Sequence, residues 1–541
     1  MMRGEEVILV RPPGERRRAH STAQPHQYSS GAPTVDFGYE CYESLGLGYV
    51  AAYLRRHGVS VSIFDGTIDP VRCEEMVDVI VEKNPLLVGF SILWDGYDDV
   101  RKMCSQVRAR GFRGHLTVGQ HFATFNADRV LNDTPEMDSV VRFEGEHTAL
   151  EMVERLRAGL DLQGVLGVAF RNGAGGVIET PPRPLVADLD ALPFPARDVL
   201  SRNRDQINWV TMSGSRGCPW RCKFCTITNF YKTPPGKIFR HRSPRSIVDE
   251  MEQIIELYGK NRFSFTDDQF LGAGSSGRAF ALGVADEILR RGLKVAIYLA
   301  TRADSVDETV FARLRDAGVV DVFLGIESAF QPTLDYFRKD ITVDQNRRAI
   351  GILKSLGIGL HLGFIMFHER SSLDEVRANI DFLREVELMS WEGPGMFFGD
   401  MSIFSGTDFM RETRNKALSP EQAYKAPWDI QDPLTRRYRS WMRTILAPLA
   451  TPFQTFSRHR ARGSVPAGVL QICEEKMRST SLGIASEMLD RVKLNSQSES
   501  HVDEARKTME DEATRLQCAL EIAEMLSDQS RAEPARAGLF L

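Results

Sequence analysis

This sequence has no hydrophobic run near the ~20 residues that a membrane-crossing helix needs. Its N-terminus, MMRGEEVILVRPPGERRR, offers only Val7 to Val10 before arginine and prolines, which is no signal-peptide layout. A cytoplasmic location is the expectation. Charge of one sign is also scarce: the net value is −5 over 541 residues, so nothing global points to nucleic acid or a membrane surface. Cysteine is sparse, with eight in all, at 41, 73, 104, 218, 222, 225, 473 and 518. Five are scattered, as reduced packing thiols of an intracellular chain are. There is no second Cys or His pair at zinc-site spacing, no exact internal repeat and no extended low-complexity tract. What is present fits a multidomain globular protein. The length exceeds one ordinary core, and 42% hydrophobic with 26% charged residues is an ordinary balance.

The first 160 residues alternate between strand and helix patterns. VILVRPP, VSVSIFDG, PLLVGFSIL, HLTVGQ and SVVRFEGE read as strands, separated by helical segments such as SLGLGYVAAYLRRHG and DDVRKMCSQVRARG. Near-continuous apolar strands alternating with helices predict a parallel sheet covered on both faces, with ligands at the strand carboxyl ends. LGVAFRNGAGGVIET reads as a hairpin, and PPRPLVADLDALPFPARD as an extended linker. A second alternating series runs from Asn208 to Phe404, with strands expected at WVTMSGS, RFSFTDDQF, KVAIYLATRAD, VVDVFLGIES, IGLHLGFIMF and PGMFFGDMSIF. Six such repeats make a partial barrel with its active site at the strand carboxyl ends. The expected fold is therefore α/β: a Rossmann-like parallel sheet over 1–160, hairpin and linker over 161–206, a partial (β/α)6 barrel over 207–410 and a helical region over 411–541.

The chemical signal is Cys218-Pro-Trp-Arg-Cys222-Lys-Phe-Cys225, directly after a predicted strand and loosened by Gly214 and Gly217. Thiolates are the usual ligands of iron–sulfur clusters, in sets of four. Three on one tight loop leave one iron without a protein ligand, and an open coordination site is what a metal needs to activate a substrate. Structural zinc is the plainer alternative, but it prefers two separated ligand pairs.

This C-x3-C-x2-C, with an aromatic before the last cysteine, resembles the signature of the radical S-adenosylmethionine (SAM) superfamily, and the pattern from 208 to 404 is similar to that family's barrel. The resemblance implies a 4Fe-4S cluster on Cys218, Cys222 and Cys225, with SAM on the open iron. One electron then splits SAM into methionine and a deoxyadenosyl radical. It also implies that Phe224 lies near the adenine and that Asp267 and Asp268, at the end of the second barrel strand, face the SAM amino group. The family's Gly-Gly-Glu is absent there. Arg302 is expected toward the SAM carboxylate and Glu327 toward ribose or methionine. Each polar residue has a structural reading too, as a bridge between loops.

The N-terminal segments V-x-P-P, SLGLGYVAAYLRRHG, SIFDG, VGQHFAT and VVRFEGE, with the linker DLDALPFPARD, resemble the cobalamin-dependent radical SAM class, most of which are methyltransferases. That implies cobalamin on the first sheet, with Ser91 of an S-x-L element, Gly119 and Gly145 at its site. D-x-H-x-x-G is missing, which implies a cobalamin with its base detached and no protein imidazole beneath the metal. His121 follows the fourth strand, either as a hydrogen-bonded loop residue or as one that approaches the corrin or the cobalt. A Rossmann-like sheet that has lost its ligand is the alternative. The function implied is methyl transfer from SAM through cobalamin to an unactivated carbon of a small molecule, such as an antibiotic building block. Flavodoxin or ferredoxin would donate electrons, and the substrate is either free or tethered to a carrier protein. Cyclisation, rearrangement or oxidation without methyl transfer is the nearest alternative, and a non-catalytic sensor the remotest. LTRRYRSWMRTILAPL reads as a helix packed on the barrel mouth, or as a substrate cap. Val502, Met509, Leu516 and Ala523 form a packing stripe, with a dimer contact as the alternative.

Overall fold

The computed structural model describes residues 4–13, 42–69, 71–92, 96–172, 175–388, 393–413, 428–462, 464–493 and 499–537. Cys41, Leu93 of the S-x-L element and Gly173 of the expected hairpin turn lie outside them, as do the side chains of Arg458, Arg460 and Arg462.

The chain forms two main sheets. The first has seven strands in the order β2-β1-β3-β4-β5-β6-β7. They are β1 (Gly4–Arg11), β2 (Ser60–Asp65), β3 (Pro85–Ser91), β4 (His115–Gly119), β5 (Ser139–Val141), β6 (Val168–Arg171) and β7 (Val177–Glu179). β1 to β5 run parallel. β1 is central, and Val7, Ile8 and Val10 are fully buried on its two faces, which is why it reads as an unbroken apolar run. The strand order reverses between β1 and β3, and that opens a crevice at their carboxyl ends. The hairpin β6–β7 adds antiparallel strands to this sheet instead of standing with the linker.

The second sheet has five strands, all parallel, in the order β14-β13-β12-β11-β8: β8 (Val210–Met212), β11 (Arg262–Phe265), β12 (Ala296–Arg302), β13 (Val319–Glu327) and β14 (Gly359–Phe364). A short antiparallel pair, β9 (Ser215–Arg216) with β10 (Arg240–His241), brackets the cysteine loop. The sixth strand expected at 394–404 is replaced by a 3-10 segment, Gly393–Phe398, and a single bridge between Phe367 and Asp400. Its Gly-Pro-Gly start removes a donor and favours a turn, while Met396 and Phe397 bury as a plug.

Local signals end these elements where the sequence says they should. In Pro244–Tyr258, the Ser243 hydroxyl accepts from the Ser246 N–H, proline takes the first position, and Gly259 closes in the left-handed region at φ 63°. One apolar core joins the first sheet, through Val7 and Leu9, to the barrel and the C-terminal helices. Those helices are Pro433–Leu446, Ala450–Arg462, Ala467–Lys493 and Glu499–Ala537. Arg439 and Arg443 pair with Asp400 at 3.2 and 2.6 Å, so the basic helix is tied to the end of the barrel. Val502, Met509, Leu516 and Ala523 are buried within the chain. No helix among the described residues is long and apolar enough to cross a membrane.

Candidate functional site

β8 leads straight into the cysteine loop, and the entry is fixed by Asp267. Its Oδ2 accepts from the Gly214 N–H at 2.9 Å and its Oδ1 from the Ser215 hydroxyl at 2.5 Å. Gly217 then turns at φ 87°, where a Cβ would stand 2.1 Å from the Ile238 carbonyl oxygen. Only glycine makes that turn. Gly217→Ala is expected to lower cluster affinity by ~10-fold or more, as loss of a supporting partner does at other metal sites. Iron retained after anaerobic reconstitution measures it, and undiminished iron would remove the turn from the account.

The loop is knitted to the barrel by backbone. The Lys223 N–H donates to the Phe337 carbonyl at 2.9 Å, and the Phe409 N–H to the Lys223 carbonyl at 3.3 Å. Phe224 packs edge-on against Phe337, with ring centroids 5.3 Å apart. Cys225 caps the helix Thr226–Lys232. Burial pushes the Cys218 thiol up to about 11 and raises Cys225 as well. Donors oppose that: the N–H groups of Trp220 and Ile227 face Cys218 and Cys225, and Arg302 Nη1 stands 3.5 Å from Cys222 Sγ. A buried thiol set with opposing donors fits thiolate ligands to a metal cluster. No three His, Cys, Asp or Glu side chains among the described residues converge on one ion. A 4Fe-4S cluster takes one thiolate per iron, so convergence on one point is not what it requires.

The polar residues expected around SAM differ in what they already bind. Both oxygens of Asp267 accept from the cysteine-loop entry, so it positions that loop whatever else it contacts. Asp268, in the bend that follows β11, lines a cavity. It is open to that cavity; the low-dielectric surroundings there, with Asp267 beside it, raise its pKa, and the Gly217 N–H opposes this. Arg302 is likewise committed. It pairs with Asp304 at 2.9 Å, donates to the Lys339 carbonyl at 2.5 Å and covers the Trp220 ring at 4.5 Å. Glu327 sits at φ 62° and accepts from Lys339 Nζ at 2.6 Å.

The cavity holds about 300 Å³. Gly89, Ser91, Gly119 and Gly145 line it from the first sheet, and Ser213, Thr266, Asp268 and Phe230 from the barrel side. Ser91, Gly119 and Gly145, separate in sequence, thus meet on one wall. A Cβ at Gly119 or Gly145 would make only ordinary contacts at 3.5–3.6 Å, so neither glycine is demanded by the protein's own packing. His121, also on the wall, has a buried Nε2 with no hydrogen-bond partner. Glycine surfaces and an unsatisfied buried nitrogen fit a bulky ligand with a metal or polar periphery.

A clamp absent from the sequence reading holds the walls together. Arg216 of β9 pairs with Glu146 at 2.6 Å and Glu144 at 3.2 Å, and Arg240 of β10 with Glu144 at 2.9 Å. All four are buried or nearly so. The available signal is the FEGE segment, with two carboxylates flanking a glycine at the end of β5.

Two family models match: "Radical SAM superfamily" over residues 212–383 and "B12 binding domain" over residues 35–153. The chain is 28% identical to an uncharacterised methyltransferase of Pyrococcus horikoshii, over 72% of this chain and 79% of that one. It is 27% identical to an anaerobic magnesium-protoporphyrin IX monomethyl ester cyclase of Rubrivivax gelatinosus, over 63% and 61%. The structure of OxsB, a cobalamin-dependent SAM radical enzyme with aqua-cobalamin bound, superimposes with a TM-score of 0.74 at 17% identity, over 99% of this chain and 81% of that one. The chain is therefore an enzyme of the cobalamin-dependent radical SAM family, in which a B12-binding domain precedes the radical SAM barrel, and its cofactors are a 4Fe-4S cluster, SAM and cobalamin.

Proposed function

We propose that this enzyme moves a methyl group from SAM, by way of cobalamin, to an unactivated carbon of a small molecule, as in the tailoring of a secondary metabolite or antibiotic. The observation that carries the reading is the position of Asp268. It lines the cavity of the first sheet, and it accepts from the N–H of Gly217, the residue directly before Cys218. One side chain thus borders both cofactor sites, which a relay between them requires. When bound, the cluster supplies the electron that splits SAM, and cobalamin supplies the methyl group.

The residues divide the work. Cys218, Cys222 and Cys225 hold the cluster, and Arg302 donates to the Cys222 sulfur while bracing the loop beneath. Asp268 accepts from the SAM amino group, with Phe224 and Glu327 bordering the rest of SAM. Ser91, Gly119 and Gly145 hold the corrin, over a domain of 1–160 that the linker 161–206 joins to a barrel of 207–410 and helices of 411–541. Flavodoxin or ferredoxin donates the electrons in the cytoplasm, and the substrate arrives free or on a carrier protein. Asp268→Asn is expected to raise the KM for SAM by about 10–100-fold, the loss of one hydrogen bond to a charged group. An unchanged KM would remove Asp268 from the SAM site.

The similarity to a cyclase supports a second reading, in which the radical closes or rearranges a ring without methyl transfer. SAM with a deuterated methyl group separates the two. Methyl transfer forms S-adenosylhomocysteine in step with a deuterated product. 5′-Deoxyadenosine with neither of these assigns the chain to ring chemistry.

A further inference from the structure

The short helix Thr226–Lys232 starts at a cluster cysteine and ends at the cofactor cavity. Cys225 is its N-cap. Near its other end, Phe230 and Tyr231 line the cavity from the barrel side. Phe230 spans the gap to the first sheet's wall, with its ring centroid 4.1 Å from that of His121 and 5.5 Å from that of Phe143. Tyr231 packs edge-on against Phe230 at 5.1 Å, and the Arg240 guanidinium covers its ring at 5.5 Å.

The Tyr231 hydroxyl has no such neighbour. It makes no hydrogen bond among the described residues and, unlike the Nε2 of His121 across the gap, it is reachable from the cavity. The side chain is only 8% exposed, and an unpaired hydroxyl at that depth costs free energy unless an occupant supplies a partner. Packing alone needs no hydroxyl, and Phe230 beside it has none. Burial, and after it the Asp268 charge, raises the phenol well above its ordinary value; Arg216 and Arg240 oppose this and Glu144 adds to it. The group is therefore an O–H donor throughout the neutral range. A flat ligand lying on the wall of Gly89, Gly119 and Gly145 turns its other face to Tyr231, Thr266 and Asp268.

We propose that Tyr231 is the hydrogen-bond donor on the barrel-side face of the bound corrin, where its hydroxyl holds the oxygen carried by cobalt in the resting enzyme. The inference rests on the reading of this cavity as the corrin site. No bond to cobalt is made or broken, and the proton stays on the phenol. Cys225 and Tyr231 are six positions apart on one helix, about 9 Å of helical rise, so the same element that carries a cluster ligand also fixes the open face of the metal.

Two measurements on the full chain test this, and neither reads turnover. The protein is loaded anaerobically with hydroxocobalamin and freed of unbound corrin. For the first, it carries ring-deuterated tyrosine and the metal is reduced to cobalt(II). Pulsed electron paramagnetic resonance is expected to show deuterium modulation at the cobalt that is lost in Tyr231→Phe and kept in Tyr49→Phe, a second tyrosine on the cavity wall. For the second, the metal stays as cobalt(III), and absorbance follows the conversion of its bound water to hydroxide as pH rises. Donation from Tyr231 favours the hydroxide. Tyr231→Phe is therefore expected to lower the ionisation constant of that water about 10-fold, a rise of about one pH unit in its midpoint. Asp268, Arg216, Glu144 and Arg240, the charges around the phenol, are the same in both proteins, so the difference belongs to the hydroxyl. Retained corrin without deuterium modulation overturns the placement, and needs no variant to do so. Modulation that survives in Tyr231→Phe overturns it too, and an unmoved midpoint overturns the hydrogen bond; both leave the corrin site standing. A chain that retains no corrin overturns the cobalamin reading of the cavity and the inference with it.

Discussion

Cys222→Ala is expected to abolish reductive SAM cleavage, with a loss well beyond the ~10–100-fold that follows removal of an outer partner at a metal site. The reason lies in the loop. Cys218, Cys222 and Cys225 come from one short segment pinned at both ends, at Gly217 by its backbone conformation and at Lys223 by Phe337 and Phe409. No other cysteine or histidine among the described residues joins the three in a ligand group. Arg302 is the guanidinium beside the Cys222 sulfur, and with that sulfur gone its charge faces an alanine methyl group. Iron content, visible absorption and 5′-deoxyadenosine formation measure the effect. Cys518→Ser, at an exposed thiol far along the chain, is the control and is expected to change none of them. A Cys222→Ala protein that still forms deoxyadenosine would break the cluster assignment.

The second large effect is structural. Arg197, from the linker, pairs with Glu43 ahead of the helix Leu45–Arg56 and, at 2.7 Å, with Glu250 on the barrel helix Pro244–Tyr258. Arg242 reaches the other oxygen of Glu250 at 2.5 Å. The two guanidiniums and two carboxylates balance in charge, and all are nearly inaccessible, with the Glu250 side chain 1% exposed. Such a set contributes little over an apolar replacement, but removing one partner strands the others. Glu250→Ala leaves two buried guanidiniums facing one carboxylate, and is expected to destabilise the fold by about 3–5 kcal/mol. The midpoint of guanidinium-induced unfolding reads it, with Glu256→Ala at an exposed position of the same helix as the comparison. Because the network joins the first sheet's helix to the barrel, cobalamin retention is expected to fall with it. An unmoved midpoint would show that the two walls are held by apolar packing alone.

What the sequence reveals is what local order encodes. The cysteine spacing lies within one loop, so it is visible without a fold. β1 and β3 are legible because a strand buried on both faces is apolar throughout. The segment 394–404 misleads for the same reason: it is equally apolar, but Pro394 and its glycines turn it into a plug. Asp267 and Asp268 show a second limit. Spacing places both just past the end of β11, while only the Gly214 and Ser215 contacts show that Asp267 is the one that braces the cysteine loop. The Glu144–Arg216–Glu146 clamp is hidden because its members are 70 and 72 residues apart. His121 is visible as a lone loop histidine, while its stacking on Phe230 from the barrel side is not.

The central claim is that one chain holds both cofactors and uses them on SAM. Its most direct test is anaerobic reconstitution with iron, sulfide and hydroxocobalamin, removal of unbound cofactor, metal analysis, and then addition of SAM and a strong reductant. Stoichiometric iron and cobalt are expected on the same polypeptide, with 5′-deoxyadenosine formed in the same sample. Full iron and cobalt loading with SAM recovered intact, in the presence of substrate-rich extract as well as in its absence, would contradict it.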